Sequence, residues 1–275
     1  MIPFTKAHAC GNDFLIVTEG AAEGLDWPAL TRRLCARSTG IGADGIEFFA
    51  WTGPESGRVR LHNADGSIAE ISGNGTRCVA AWMAAVLGSV PGNELRITTD
   101  AGLRVCKVNS VSAPVSFGPF SVEVITGMGV PTFAPKTVSL GDGAKIYGVA
   151  VSTGNPHFVI AVDNPEFAVA GQPWQSIGAE ICMHPDFPRQ TNVEFVRILN
   201  PAEIEIRIFE RGVGPTTSSG TGSSASATAA LALWGCKSPL TVTAPGGAQT
   251  VAWDESGTEL TLTGPAALIA RGEAW

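Results

Sequence analysis

One short glycine motif occurs twice in this chain of 275 residues, and each copy stands just before a run of small residues. The motif is Ser-Gly-x-Gly, at residues 72–75 and 219–222, and the runs that follow cover residues 78–87 and 225–234. A glycine turn that opens a helix presents free backbone N–H groups at the positive end of the helix dipole, which suits an anion. Two such turns, 147 positions apart, predict two similar halves whose helix starts face one central pocket.

Most of the remaining sequence is typical of short strands. Apolar and polar residues alternate with period two in many runs, as in half-buried strands, for example at residues 122–125, 192–196 and 204–208. Helical patterns are few: besides the two runs after the glycine turns, only residues 27–35 and, more weakly, 174–177 read as helix. We therefore predict an α+β fold in which antiparallel or mixed sheets wrap around a central helix in each half.

The order of elements also repeats, which predicts the domain organisation. Each half reads as a Gly-Asn pair, a strand, an acidic residue, the glycine turn and a helix. We place the boundary near residues 117–120, so that an N-terminal lobe covers residues 1–117 and a C-terminal lobe covers residues 118–262.

Composition excludes several classes of partner. The net charge is −7 and no lysine or arginine block occurs, so a nucleic acid is not expected as a partner. The longest apolar runs are shorter than the 18 or so residues that a membrane span needs, and the first residues lack the apolar core of a signal peptide. We expect a cytoplasmic protein. Neither the six cysteines nor the four histidines show metal-ligand spacing, so no metal is expected.

A set of polar residues near the glycine turns is a candidate ligand site. An asparagine beside a glycine is usually only a turn former, but five asparagines in matched positions of two halves favour binding. Amide groups donate and accept, as a zwitterionic ligand requires, and the N–H groups of Gly73, Asn74, Gly220 and Thr221 suit its carboxylate. We infer a small amino acid as the ligand. The set comprises Asn12, Asn63, Asn74, Asn155, Asn192, Glu210, Arg211 and Thr221.

Seven motifs, in this order and spread over nearly the whole chain, resemble those of the diaminopimelate epimerase family. They are Gly-Asn-Asp-Phe at 11–14, Gly-Ile-Gly-Ala-Asp-Gly at 40–45, Asn-Ala-Asp-Gly-Ser at 63–67, Glu-Ile-Ser-Gly-Asn-Gly-Thr-Arg-Cys at 70–78, Gly-Asn-Pro-His at 154–157, Glu-Arg-Gly-Val-Gly at 210–214 and Ser-Gly-Thr-Gly at 219–222. A single Gly-x-Gly would carry little weight, whereas the ordered set is highly specific.

The resemblance implies two similar lobes, each a mixed β barrel around a central helix, with the site between them. It implies that the last strand, near residues 267–271, returns to the first lobe, so that residues 263–275 form a terminal segment of that lobe. It also implies conversion of LL- to meso-diaminopimelate, a step in lysine and cell-wall biosynthesis, without cofactor or metal. Two cysteines act on opposite faces of the substrate α-carbon in this family. A homodimer is a possible assembly.

This chain departs from the family at both cysteines, because those positions are Ser72 and Ser219. A free thiol has a pKa of ~8.5, whereas an alcohol is nearer water at ~15.7. A gap of about five units or more raises the free energy of forming the base by roughly 7 kcal/mol, which two helix N-termini at about 1–2 kcal/mol each do not offset. A helper base is therefore needed, and the family pattern suggests His157 and Glu210, near the acid/base of the first lobe.

Three interpretations remain open. The chain is an epimerase whose cysteines were replaced while binding was kept; or it is a genuine Ser/Ser enzyme, either an amino-acid epimerase or a dehydratase related to the proline racemases; or it is a non-catalytic amino-acid-binding protein. The intact set of polar residues favours the first two.

Overall fold

The computed structural model describes residues 1–112 and 119–275. It divides by internal contacts into two compact units. The first unit contains Met1–Gly127 together with Thr263–Trp275, and the second contains Met128–Leu262. The boundary predicted from the sequence at residue 117 lies outside the described residues, and the contact division falls between Gly127 and Met128.

The first unit is a closed barrel of eight strands. The ring runs β1, β2, β3, β4, β6, β7, β8, β17 and back to β1, with a short strand β5 beside β4. Its strands are β1 (Ile2–Ala9), β2 (Asn12–Thr18), β3 (Gly45–Gly53), β4 (Ser56–Asn63), β5 (Ile68–Ala69), β6 (Glu94–Thr99), β7 (Gly102–Ser112), β8 (Phe120–Gly127) and most of β17 (Thr261–Ala274). The crossovers between the parallel pairs β2–β3 and β4–β6 contain α1 (Trp27–Cys35) and α2 (Gly73–Leu87).

Helix α2 lies at the centre of this barrel. Its apolar residues, among them Val79 and Met83, form one buried cluster with residues from every strand of the ring. Small residues dominate the helix, which allows the sheet to approach its backbone closely. Burial in this core, rather than amphipathic character, stabilises the helix.

The second unit repeats the order of strands and α-helices from β1 to β7, with one further strand ahead of it. Its strands are β9 (Thr132–Ser139), β10 (Lys145–Ser152), β11 (Pro156–Val162), β12 (Asn192–Asn200), β13 (Glu203–Glu210), β14 (Gly214–Thr216), β15 (Leu240–Ala244) and β16 (Gly247–Ala252). The pairs β11–β12 and β13–β15 are parallel, and their crossovers contain α3 (Trp174–Cys182) and α4 (Gly220–Leu233). Helix α4 is buried at the centre of the second core.

The predicted α+β class, with a central helix in each half, is confirmed. The positions of α1 and α3 agree with the predicted helical runs at 27–35 and 174–177. The two central helices, however, begin at residues 73 and 220, five residues before the predicted runs, because the glycines belong to the first helical turn. None of the helices in the described part of the chain has the length and apolarity needed to cross a bilayer.

Candidate active site

Ser72 is the N-cap of the central helix in the first unit. Its backbone is extended (φ −122°, ψ 123°), and its Oγ accepts a hydrogen bond of 3.0 Å from the backbone N–H of Gly75. This is the usual N-cap geometry, which satisfies one of the otherwise unpaired N–H groups of the first turn. The hydroxyl proton takes no part in that bond and remains available for donation.

Ser219 has the same place in the second unit. Its backbone is again extended (φ −145°, ψ 125°), and its Oγ accepts a hydrogen bond of 3.2 Å from the N–H of Gly222. Its Oγ also lies 3.4 Å from the hydroxyl oxygen of Thr221. The duplicated sequence motif is therefore also a duplicated structural motif, with a serine hydroxyl and a helix N-terminus at both turns.

Two of the predicted binding residues in the first unit are hydrogen bonded to one another. Asn74, at the second position of α2, donates through Nδ2 to Oδ1 of Asn12 at 3.2 Å, and Asn12 donates to Asp44 at 2.7 Å. The buried Arg77 guanidinium donates to Oδ1 of Asn74 at 2.6 Å. Both asparagine amides are thus fixed in orientation beside the Ser72 turn.

Acidic and basic side chains support the β1–β2 turn from which Asn12 projects. Asp13 forms ion pairs with Lys6 at 2.9 Å and with Arg37 at 2.8 Å, and Arg37 also contacts Asp44 at 2.7 Å. Burial alone would raise the pKa of Asp13, but the hydrogen bonds and charges of Arg37 and Lys6 lower it below its usual value. The ionised carboxylate therefore holds this end of the barrel in one arrangement.

Asn63 lies at the end of β4, where its amide donates to the Ser67 hydroxyl at 3.0 Å. This bond belongs to the turn that follows the strand. Its role as a substrate-binding residue stays a prediction.

In the second unit, a chain of hydrogen bonds connects four predicted site residues with a buried glutamate. Nδ1 of His157 lies 2.7 Å from Oε1 of Glu194, and Nε2 lies 2.9 Å from Oδ1 of Asn155. Asn155 donates to Thr221 at 3.4 Å, and Thr221 contacts Ser219. The resemblance suggests that His157 lies beside the Ser72 turn, and this stays a prediction. Within its own unit, His157 is connected by hydrogen bonds to the Ser219 turn.

The His157–Glu194 pair can store a proton without net charge. Both side chains are completely buried. Burial raises the pKa of Glu194, and the nearby His157 opposes this rise. With Nε2–H donating to Asn155, the shared proton resides either on the glutamic acid or on Nδ1, and the pair stays neutral in both forms.

Asn192, Glu210 and Arg211 lie together at one edge of the second sheet, where β12 begins and β13 ends. Asn192 accepts the backbone N–H of Arg211 at 2.9 Å and donates to the carbonyl of Pro156 at 3.2 Å. The Arg211 guanidinium donates to the carbonyl oxygen of Arg189 at 3.0 Å. Their roles toward a ligand stay predictions.

Two buried glutamates escaped the sequence analysis. Glu47 in β3 is 1% exposed, and Glu194 in β12 is fully buried. Burial raises the pKa of Glu47 to about 8. A detectable signal was present in the sequence: each is the only charged residue within a run of apolar strand residues, Ile-Glu-Phe-Phe and Val-Glu-Phe-Val.

Cys78, the cysteine nearest to Ser72 in the sequence, does not take its place. Cys78 lies six residues beyond Ser72, within α2, and is fully buried. Burial raises the pKa of its thiol well above its usual range. Within the described ranges, no group of three or more histidine, cysteine, aspartate or glutamate side chains is arranged to hold a metal ion.

Comparison with known proteins identifies the family. The model of the diaminopimelate epimerase family matches residues 4–129 and 149–269. A diaminopimelate epimerase of Desulfitobacterium hafniense is 35% identical over 97% of this chain and 96% of its own length. One of Carboxydothermus hydrogenoformans is 36% identical over 98% of both chains. A solved structure described as a predicted epimerase, from Pseudomonas aeruginosa, shares the fold with a TM-score of 0.71 at 13% identity, covering 100% of this chain and 99% of its own. The chain therefore belongs to the diaminopimelate epimerase family, a family of isomerases.

Proposed function

We propose that this protein is a cofactor-independent epimerase that interconverts LL- and meso-diaminopimelate. One serine hydroxyl removes the α-proton of the substrate, and the other delivers a proton to the opposite face of the same carbon. The names of the curated relatives and the match of the family model over both halves of the chain support the reaction and the substrate.

The observation that carries the proposal is the matched geometry of the two serine turns. Each hydroxyl accepts from the N–H of the third residue of its helix, at 3.0 Å and 3.2 Å, and neither of these bonds uses the proton of the hydroxyl. The positive helix N-terminus stabilises negative charge on the oxygen when that proton leaves. Two acid/base groups of one kind suit a reaction whose forward and reverse directions are chemically alike.

The remaining polar groups bind the substrate in this proposal. The N–H groups of the two helix starts donate hydrogen bonds to its α-carboxylate, and the amides, with Glu210 and Arg211, bind its ammonium and carboxylate groups. The binding set is Asn12, Asn63, Gly73, Asn74, Asn155, Asn192, Glu210, Arg211, Gly220 and Thr221.

The proposed acid/base groups need assistance, because an alcohol is a much weaker acid than a thiol. At the second turn, the neutral His157–Glu194 pair is within hydrogen-bond reach of Ser219 through Asn155 and Thr221. The pair is anionic without its shared proton and neutral with it, so as a helper base it takes the Ser219 proton in the first form and returns it from the second. Glu210 is the second candidate for this role.

Solvent exchange tests the proposal. LL-diaminopimelate and meso-diaminopimelate are each incubated with the protein in D2O, and the α-proton signal is followed by NMR. Loss of the α-proton together with appearance of the other isomer is the expected result. Exchange without isomerisation would mean that only one hydroxyl is active. A Ser72→Ala and Ser219→Ala double variant is the control, and it should show neither.

The serines themselves favour a second candidate, a non-catalytic amino-acid-binding protein. The N-cap bonds and the amide network do not require a thiol, so binding can persist where proton transfer is lost. Calorimetry with the same two isomers, run beside the exchange experiment, separates the candidates. Binding with no exchange at any pH from 6 to 10 would establish the binding protein and overturn the enzyme.

A further inference from the structure

Glu47 and Glu194 have equivalent places in the two units. In the first unit, Phe14 and Ile16 of β2 are opposite Gly45 and Glu47 of β3 in a parallel ladder. In the second unit, the same parallel ladder between β11 and β12 places His157 and Val159 opposite Asn192 and Glu194. The two glutamates are therefore the third residues of matched strands, and Phe14 occupies the position of His157.

Each carboxyl group touches the glycine turn of its own unit. A Cβ atom built on Gly75 would lie 1.8 Å from Oε1 of Glu47 and 3.2 Å from Cβ of Ser72. Oε1 of Glu47 and Cβ of Ser72 both lie close to that single point, so at most about 5 Å separates these two atoms. At the second turn, a Cβ on Gly222 would lie 2.9 Å from Oε1 of Glu194 and 3.3 Å from Oγ of Ser219. Glycine at the fourth position of the motif leaves this space to the glutamate.

The two carboxyl groups differ in their partners. Glu194 is hydrogen bonded to His157, whereas no hydrogen bond reaches the Glu47 carboxyl from the residues that the structure describes. Its neighbours across the ladders are Ile16 of β2 and Leu61 of β4, both apolar. On α2, the buried thiol of Cys78 is close enough to interact electrostatically with Glu47. The α2 N-terminus favours the charged form of the carboxyl group, and the desolvation of a fully buried carboxyl group outweighs it.

We propose that Glu47 is the proton-holding partner of Ser72, a role that rests on the proposed epimerase function. The Ser72 hydroxyl is not hydrogen bonded to Glu47 in this structure, so the step requires the two groups to meet in the substrate complex, directly or through one water molecule. When Ser72 Oγ takes the α-proton of the substrate, the hydroxyl proton of Ser72 then passes to the Glu47 carboxylate. The electron pair of the broken C–H bond stays on the α-carbon. In the reverse direction, the Glu47 acid returns its proton to Ser72 Oγ as the Ser72 hydroxyl proton is delivered to the carbon. Glu47 acts through Ser72 and does not touch the substrate.

The raised pKa of Glu47 fits this role. An alcohol alone cannot ionise near neutral pH, and a surface carboxylate of pKa ~4.3 is too weak a base to assist it. A carboxyl group with a pKa of about 8 is present in both forms near that pH, as efficient proton transfer in both directions requires.

Isosteric replacement tests the role. Glu47→Gln keeps the size of the side chain and removes the titratable carboxyl group. Exchange of the α-proton in D2O should therefore fall by about 100-fold or more for one of the two isomers. The dependence of that rate on pH near 8 should vanish with it. Glu47→Asp, which restores a carboxyl group, should recover part of both. Glu94→Gln, at an exposed position on β6 of the same unit, is the matched control and should leave rate and profile unchanged.

A second measurement does not depend on activity. The carbonyl stretch of a protonated carboxylic acid is read by infrared difference spectroscopy between pH 6 and 10. The wild-type spectrum should contain one band that titrates near pH 8 and is absent from Glu47→Gln. Glu47→Met, which removes a buried acid without leaving a cavity, should unfold at a higher urea concentration while it loses exchange.

The outcomes separate the two proposals. Wild-type exchange with an unchanged rate and pH profile in Glu47→Gln would overturn the role of Glu47 and leave the epimerase standing. A Glu47 band that is absent at pH 6 would do the same. A wild-type protein that exchanges neither isomer would overturn the epimerase and the role of Glu47 together.

Discussion

The two central helices begin alike, yet the buried acids beneath their first turns are stabilised differently. At the second turn, Glu194 has His157 as a partner at 2.7 Å, so a proton can move within a neutral pair. At the first turn, Phe14 stands in the matching place, and Glu47 is an isolated acid. The difference teaches that a duplicated fold can hold a proton beside each serine turn by two physical means. In the second unit Glu194 shares the proton with His157, and in the first unit desolvation favours the protonated form of Glu47.

The largest effect should be on the pH dependence of stability. Glu47 has a pKa of about 8 in the folded state and about 4.3 in an unfolded chain, so the folded state binds the extra proton between these values. The free energy of unfolding should therefore fall as pH rises from about 4.5 to about 8, by at most roughly 5 kcal/mol, and then level off with respect to this group. Urea unfolding of wild type and Glu47→Gln, with Glu94→Gln as control, measures the difference. Parallel curves for all three proteins would show that Glu47 is ionised throughout.

Replacing His157 by phenylalanine should make the second turn a copy of the first. His157→Phe removes one partner of a buried pair, which typically lowers the free energy of unfolding by about 3–5 kcal/mol. Part of this loss should disappear at low pH, because a protonated Glu194 no longer buries a charge. Stability at pH 5 and pH 8, compared with His184→Phe at a partly exposed histidine outside the pair, checks this. Equal losses at the two pH values would mean that only packing was disturbed.

The converse change, Phe14→His, should give Glu47 the partner that it lacks. A histidine at this position of β2 is expected to lower the pKa of Glu47 from about 8 toward neutrality, because the imidazolium stabilises the carboxylate. The infrared band of Glu47 should then titrate at lower pH. If it does not move, the matched registers of the two ladders do not translate into matched side-chain contacts, and the comparison between the turns fails at this point.

Cysteines at both turns should raise epimerase activity by about 100-fold or more. In the double variant Ser72→Cys with Ser219→Cys, thiols replace the two hydroxyl groups. The pKa of a thiol is about five units or more below that of an alcohol and so closer to working pH, and the helix N-termini lower the thiol pKa further. The wild-type protein and each single variant are compared in the same D2O assay. Single variants should exchange the α-proton of one isomer with little turnover. A folded double variant that binds the substrate but does not epimerise it would show that more than the acid/base pair has changed.

The duplicated turn predicted that both serines precede a helix, and the alternating strand runs with few helical patterns predicted the fold class, because each of these patterns has a local physical meaning. The buried residues next to those serine turns could not be predicted in the same way. Glu47 precedes Ser72 by 25 residues, and His157 precedes Glu194 by 37. Parallel ladders bring these residues to their places across helical crossovers, and spacing along the chain does not reveal such contacts. The helix starts were misplaced by five residues because glycine is normally unfavourable inside a helix.

Arg211→Ala should give the smallest of these effects, and it tests whether the second unit also supplies the charged contact to the substrate. Arg211 follows the last residue of β13, and its backbone is fixed by Asn192 at 2.9 Å, so its guanidinium projects from a rigid edge. Loss of a charge-assisted hydrogen bond to a substrate carboxylate costs about 1.5–3 kcal/mol, which corresponds to binding weaker by roughly tenfold to a hundredfold. Calorimetry with meso-diaminopimelate measures it, and Arg32→Ala, whose exposed side chain donates to the carbonyl of Asp65 at 3.4 Å, is the control that should bind as wild type does. Equal affinities for the two variants would remove Arg211 from the binding set and assign the substrate carboxylates to the backbone N–H groups of the two helix starts.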